Sequence, residues 1–191
     1  MVDLKLEPKE TALVLIDLEQ GIVARDLAPY AARDVVARCA SLAQAVRDVG
    51  GTVIYVHVLL HETASLTADK PMPRPPAPPP PSASELVPEA GFQPGDVLIT
   101  KRQWGAFYAT NLDQALRRKG VKTIILGGIA TNFGVESTAR AAQEHGYELI
   151  FAEDAMSSMS AEMHSFSTTK LFPVIGCVRS TEQIEAALRG A

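Results

Sequence analysis

The chain has 191 residues, a formal net charge of −4, and 47% hydrophobic against 21% charged residues, the balance of one globular domain with a substantial core. This excludes the clustered basic surface that nucleic acid requires: the densest basic group, Arg117, Arg118, Lys119 and Lys122, surrounds an expected helix end, where positive charge suits the macrodipole. No apolar run approaches bilayer-spanning length, and the N-terminal MVDLKLEPKE lacks the apolar core of a secretory signal, so the expectation is a cytoplasmic protein without membrane contact.

Thr11–Asp17 (TALVLID) is an apolar run without polar alternation, as expected of a strand buried on both faces. Residues 30–48 place Val35, Val36, Cys39, Leu42, Ala43 and Val46 at helical spacing before Gly50-Gly51 stops the helix. Thr52–Val58 is a second buried strand. Residues 60–95 show no clear period and contain PMPRPPAPPPP at 71–81. Proline fixes φ and removes donors, so this stretch cannot join a sheet. It reads as a stiff polyproline arm or loop, with a partner's PxxP ligand at Arg74 as the lesser alternative.

Val97–Thr100 is a short third strand. Residues 111–119 form a helix closed by Gly120. Lys122–Leu126 is a fourth strand running into Gly127-Gly128, and residues 132–145 form a helix. Tyr147–Ala152 is a fifth strand, 160–171 a helix stopping before Pro173, and Val174–Val178 a sixth strand. Ser180 opens the last helix with a capping box completed by Gln183. The βα alternation predicts a single α/β domain over 1–191, with a parallel sheet, helices on both faces and a Pro-rich insert at about 60–95. In such sheets ligands bind beyond the carboxyl ends of the strands.

That rule selects residues directly following strands. Asp17 is either a turn residue or a carboxyl with a raised pKa, suited to proton transfer; Gln20, close behind it, either orients substrate or is exposed. Lys101 is either solvent-facing or a stabiliser of anionic charge. Trp104, Phe107 and Tyr108 either wall an apolar pocket or pack on the core. In Gly127–Gly134 a strand passes through a glycine pair into a helix, with Thr131 or Asn132 as its N-cap. The residues of this turn, Ile129, Ala130, Thr131 and Phe133, are candidate substrate contacts through backbone N–H groups that bind an anion; the alternative is a tight turn. The segment is neither a P-loop nor a GxGxxG fingerprint. His57 is either a polar pocket contact or a satisfied buried histidine. His57 and His61 are a weak metal pair. The two cysteines, Cys39 and Cys177, form no CxxC motif, which argues against a dithiol or zinc-knuckle site.

Together, ALVLIDLEQG and ITKRQWGAFYATNLDQALRRKGVKTIILGGIATNFGVESTARAAQEHGYELIFAEDAMSS resemble the isochorismatase-like (cysteine hydrolase) family over nearly the whole chain except residues 60–95. The resemblance implies a doubly wound six-stranded parallel sheet, a small-molecule substrate and a homo-oligomer. It implies a non-proline cis peptide at Ile129–Ala130. It also carries a catalytic aspartate onto Asp17 and a lysine onto Lys101. Most relatives have a cysteine where this chain has Gly134, so covalent thioester chemistry has no nucleophile there. The resemblance then implies the non-covalent route of isochorismatases proper: Asp17 protonates an enol ether, Lys101 supports it electrostatically, and Gly134 leaves room for ring and water. Amide or imide hydrolysis without cysteine and a non-catalytic binding or scaffold protein are the alternatives. The nicotinamidase branch's metal-binding pattern is absent from VHVLLHETASLTADK, so no metal and no cofactor are expected.

Overall fold

The computed structural model describes residues 4–72 and 76–190; the Arg74 of the PxxP reading lies outside the described residues. Six parallel strands form one sheet in the order β3-β2-β1-β4-β5-β6: β1 Thr11–Ile16, β2 Thr52–Val58, β3 Val97–Lys101, β4 Thr123–Ile129, β5 Glu148–Ser157 and β6 Cys177–Arg179. The order reverses beside β1, so the crevice between β1 and β4 is the topological switch point. β1 is buried at every position, because its TALVLI run feeds both faces of the sheet.

Each face has its own core. On one, Leu13, Leu15 and Tyr55 pack with Val36, Cys39 and Leu42 of α2 (Ala32–Asp48) and with Ile184 and Leu188 of α7 (Thr181–Arg189). On the other, Val14, Ile16, Ile54 and Leu126 pack with Leu112 and Leu116 of α3 (Leu112–Arg118), with Ala139 and Ala142 of α4 (Glu136–Glu144), and with Phe172. The expected doubly wound architecture is the one observed.

Boundaries moved where tertiary packing overrides local signals. The glycine pair does not end β4: Gly127 and Gly128 pair with Leu15 and Ile16 of β1. Gly128 adopts φ 107, and a Cβ there would meet the Ile16 carbonyl oxygen at 2.1 Å, so glycine serves close strand approach and not a turn. The helix expected over 160–171 does not stop before Pro173. It runs from α5 (Ala161–Phe166) through a π-helical stretch at Ser167–Leu171 into α6 (Phe172–Ile175), where Pro173 occupies the first turn, a position needing no proline N–H. Val174 is therefore helical and exposed, and β6 spans Cys177–Arg179 in place of the expected Val174–Val178. Thr131 and Asn132 are not N-caps: Thr131–Val135 is a π-helical turn leading into α4, preceded by Ala130 without a side-chain cap.

The insert is anchored at its return limb. Glu19 and Leu86 form an antiparallel bridge, flanked by Gln20 N donating to Glu85 O (3.0 Å) and Val87 N to Leu18 O (3.0 Å). Ser84 Oγ accepts from Leu60 N at 2.9 Å. The long segment thus folds back against the chain leaving β1, at the carboxyl edge of the sheet.

Candidate active site

Three strand ends meet at this edge. β1 stops at Asp17, whose backbone turns into the left-handed region (φ 54), a conformation that aspartate tolerates better than most residues. Its N–H still donates to Val56 O at 2.8 Å, so the side chain is fixed against the sheet. Lys101 closes β3, level with Val58 of β2. β4 ends at Ile129, and the cis Ile129–Ala130 peptide redirects the chain into the π-helical turn that holds Gly134.

Lys101 Nζ donates to Asp17 Oδ2 at 2.7 Å and to the Trp104 carbonyl at 2.8 Å. The pair is closed off from solvent: Lys101 is 1% exposed and Asp17 5%. Burial raises Asp17 to about 6, opposed by the charge and hydrogen bond of Lys101 and by the charges of His57 and Arg25. The second Asp17 oxygen, Oδ1, has no hydrogen-bond partner, so it remains available for proton exchange.

Gly134 lies against this pair. A Cβ built there would stand 2.9 Å from Ile16 Cγ2, 3.2 Å from Asp17 Oδ2 and 3.4 Å from Lys101 Nζ. No side chain stands between the turn and the ion pair, and even a single added carbon would crowd Ile16 and touch both partners.

The other candidate residues divide. Ile129 and Ala130 are buried at the turn, and Thr131 is fully buried, its hydroxyl 2.9 Å from His164 Nδ1. Phe133 meets Trp104 edge-on with ring centroids 4.9 Å apart. Trp104 is 56% exposed, so these two rings form an aromatic edge beside the buried pair. Phe107 is not there: it is buried and stacks on His145 and near Tyr147, the core-packing alternative. Tyr108 is exposed. His57 has both ring nitrogens engaged, Nδ1 with Ser84 O and Nε2 with Thr100 Oγ1, each at 2.8 Å, and so holds the insert to β3 as a satisfied histidine. Gln20 starts the short helix α1 (Gln20–Val23) with an exposed side chain. Among the described residues no three His, Cys, Asp or Glu side chains are grouped to hold a metal ion. Cys39 and Cys177 are free. Cys39 donates to Ala155 O at 3.3 Å, and burial pushes its thiol up to about 12.

Sequence reasoning missed Glu19. It is fully buried; Oε1 accepts from Val58 N at 3.3 Å and Oε2 is unpartnered. Burial, then the neighbouring Asp17 charge, holds its carboxyl well above the usual range. Its position two residues beyond Asp17 was the available signal, but DLEQG reads locally as a polar strand exit.

A model of the isochorismatase domain matches residues 11–183. The chain belongs to the isochorismatase family. It is 44% identical over 186 residues to the isochorismatase family protein YwoC of Bacillus subtilis, spanning 96% of each chain. It is 29% identical over 175 residues to the ureidoacrylate amidohydrolase RutB of Rhizobium rhizogenes, covering 78% of this chain and 71% of RutB. Among solved structures, an isochorismatase family protein from Burkholderia thailandensis superposes with a TM-score of 0.89 at 43% identity, covering 97% and 98% of the two chains. The N-carbamoylsarcosine amidase of Thermoplasma acidophilum does so with a TM-score of 0.73 at 26% identity, covering 91% and 97%. This isochorismatase-family chain is accordingly a hydrolase.

Proposed function

We propose that this isochorismatase-family enzyme hydrolyses a small molecule without a covalent enzyme intermediate, with Asp17 as the proton-transfer group and Lys101 as its electrostatic partner. The observation that carries this reading is the buried Asp17–Lys101 pair at 2.7 Å packed against a residue with no side chain. A carboxyl raised to about 6 exchanges protons near neutral pH, where general acid–base catalysis is most effective. Two of the three Lys101 N–H bonds are occupied by Asp17 and Trp104; the third is left for a substrate carboxylate or developing oxyanion.

With an enol ether such as isochorismate, protonated Asp17 gives its proton to the methylene carbon. Water adds to the resulting oxocarbenium ion and loses a proton to Asp17. The hemiketal then collapses, breaking the carbon–oxygen bond and releasing pyruvate and an alcohol. A second reading, amide or imide hydrolysis, is favoured by the similarity to RutB and N-carbamoylsarcosine amidase. Here ionised Asp17 takes a proton from water as its oxygen attacks the carbonyl, then gives it to the departing nitrogen. Both readings take the enzyme to be a cytoplasmic homo-oligomer, which sedimentation velocity checks for the assembly.

The two readings have opposite pH dependence. An acid must be protonated, so enol ether hydrolysis falls as pH rises through about 6; a base must be ionised, so amide hydrolysis rises through the same value. The test is to screen purified enzyme against enol ethers, amides and imides, then record the pH–rate profile beside Asp17→Asn. The substitution is expected to lower kcat by at least ~100-fold. Undiminished turnover in Asp17→Asn ends both readings.

A further inference from the structure

A second polar cluster lies behind the turn that carries Gly134. Thr131 Oγ1 and His164 Nδ1 are 2.9 Å apart and both residues are buried. On the other side of the ring, His164 Nε2 faces Glu153 Oε2 at 3.8 Å. Tyr30 OH donates to the same Glu153 oxygen at 3.2 Å, and the Tyr30 ring meets the imidazole edge-on at 5.8 Å. A carboxylate oxygen on the Nε2 side favours the proton on that nitrogen, the tautomer in which Nδ1 is the acceptor of the Thr131 hydroxyl hydrogen bond. His164 comes from α5 and Glu153 from β5, so elements outside the turn hold its first residue.

The turn has other anchors. Ser158 Oγ donates to Asn132 Oδ1. At its far end Thr138 Oγ1 donates to Gly134 O at 2.7 Å and accepts from Ala106 N at 3.1 Å. Within it, Phe133 N and Val135 N both donate to Ala130 O. Between these points Gly134 lies so near the pair that an added Cβ would stand 3.2 Å from Asp17 Oδ2 and 3.4 Å from Lys101 Nζ, which leaves the turn little freedom to move towards it.

We propose that His164 is a positioning residue of the active site: through its hydrogen bond with the Thr131 hydroxyl it fixes the Ala130–Gly134 turn against the Asp17–Lys101 pair. The proposal rests on the proton-transfer reading of that pair. Neither His164 nor Thr131 need touch the reacting atoms. Their hydrogen bond sets the distance between the turn and Asp17, and small misplacements at a catalytic group cost as much as ~100-fold in rate.

The test compares Thr131→Val and His164→Leu, which abolish the hydrogen bond, with Thr131→Ser and His164→Asn, which retain a hydroxyl or an acceptor at the Nδ1 position. The first two are expected to lower kcat ~10–100-fold with KM within about threefold, the double variant being no worse than either single one, while Ser and Asn recover most of the loss. A measurement independent of substrate is 13C NMR titration of the Asp17 carboxyl. Burial holds this carboxyl near 6; the measured midpoint is expected to be lower in Thr131→Val and His164→Leu than in the parent, as the loosened turn admits water, and to match the parent in the Ser and Asn variants. A purely structural role predicts lowered thermal midpoints with the parent's kcat and Asp17 midpoint, and that result overturns the proposal. So does an additive double variant. Asp17→Asn, assayed in parallel, separates the two levels: if it is inactive while Thr131→Val turns over normally, only the positioning proposal fails; if it is fully active, the underlying reading fails and takes the proposal with it.

Discussion

At the residue scale the site concentrates two buried carboxyls and one buried ammonium, Asp17, Glu19 and Lys101. The only buried side-chain oxygens without partners among the described residues are Asp17 Oδ1 and Glu19 Oε2. Burial raises both carboxyls above their values in an unfolded chain, Asp17 from 3.8 to about 6 and Glu19 well above 4.5. The folded state therefore binds these protons more tightly than the unfolded chain does. The associated stability is complete below the unfolded values and is lost as pH rises through the folded ones. Chemical denaturation is thus expected to show stability declining as pH rises from about 4 through about 6. Glu19→Gln, which keeps the acceptor for Val58 N but cannot ionise, is expected to make that decline shallower. An unchanged slope in this variant removes Glu19 from the account. Lys101→Met leaves Asp17 without its cation; loss of one partner from a buried pair costs about 3–5 kcal/mol, and the Asp17 midpoint is expected to rise. Gly134→Ala brings a methyl to 2.9 Å from Ile16 Cγ2, an overpacking worth about 1–3 kcal/mol, readable as a lower urea midpoint.

At the element scale, the strands that build the site were legible because they are apolar on both faces: β1 and β2 match the runs TALVLI and TVIYVHV. Asp17 and Lys101 were legible for a related reason, since the rim of a parallel sheet is where a chain leaves a buried strand. What escaped was set by contacts distant in sequence. The Gly127-Gly128 pair resembles a turn in isolation, and only the nearness of the Ile16 backbone shows that β4 continues through it. Phe107, Trp104 and Tyr108 are equivalent in a local reading, yet one is core, one sits beside the pair and one is exposed. Glu19 and His164 carry no local mark because their partners are Val58, Thr131 and Glu153. Two glycines with positive φ make the contrast measurable. Gly120→Ala adds a methyl in open space and is expected to cost about 1 kcal/mol from backbone conformation alone. Gly128→Ala adds the clash with Ile16 and is expected to cost about 2–4 kcal/mol. Equal thermal midpoints for the two variants would falsify the close-approach explanation of β4.

At the scale of the whole molecule, the fold brings to one edge residues separated by most of the chain, and the cysteines stay outside that assembly. Cys39 is held under the sheet against Ala155, and Cys177 lies in β6, two strands from β4. A double Cys39→Ala, Cys177→Ala variant is expected to keep its kcat, and thiol alkylation to leave turnover intact; inactivation of the double variant would place the chemistry on a sulfur. The insert carries a different consequence. Its return limb closes a long loop by a few hydrogen bonds at Ser84–Val87, and long loops lose chain entropy on closure. The run Pro78–Pro81 precedes this limb directly, and proline restricts the unfolded chain before any contact forms. Rigidity in the denatured state thus adds to these native hydrogen bonds in keeping the limb seated over the exit of β1. Replacing Pro78, Pro79 and Pro80 by glycine is expected to lower stability by up to about 1 kcal/mol per position and to speed hydrogen exchange at Gln20 and Val87. The contacts of the folded state would be unchanged, the whole effect arising in the chain before it folds.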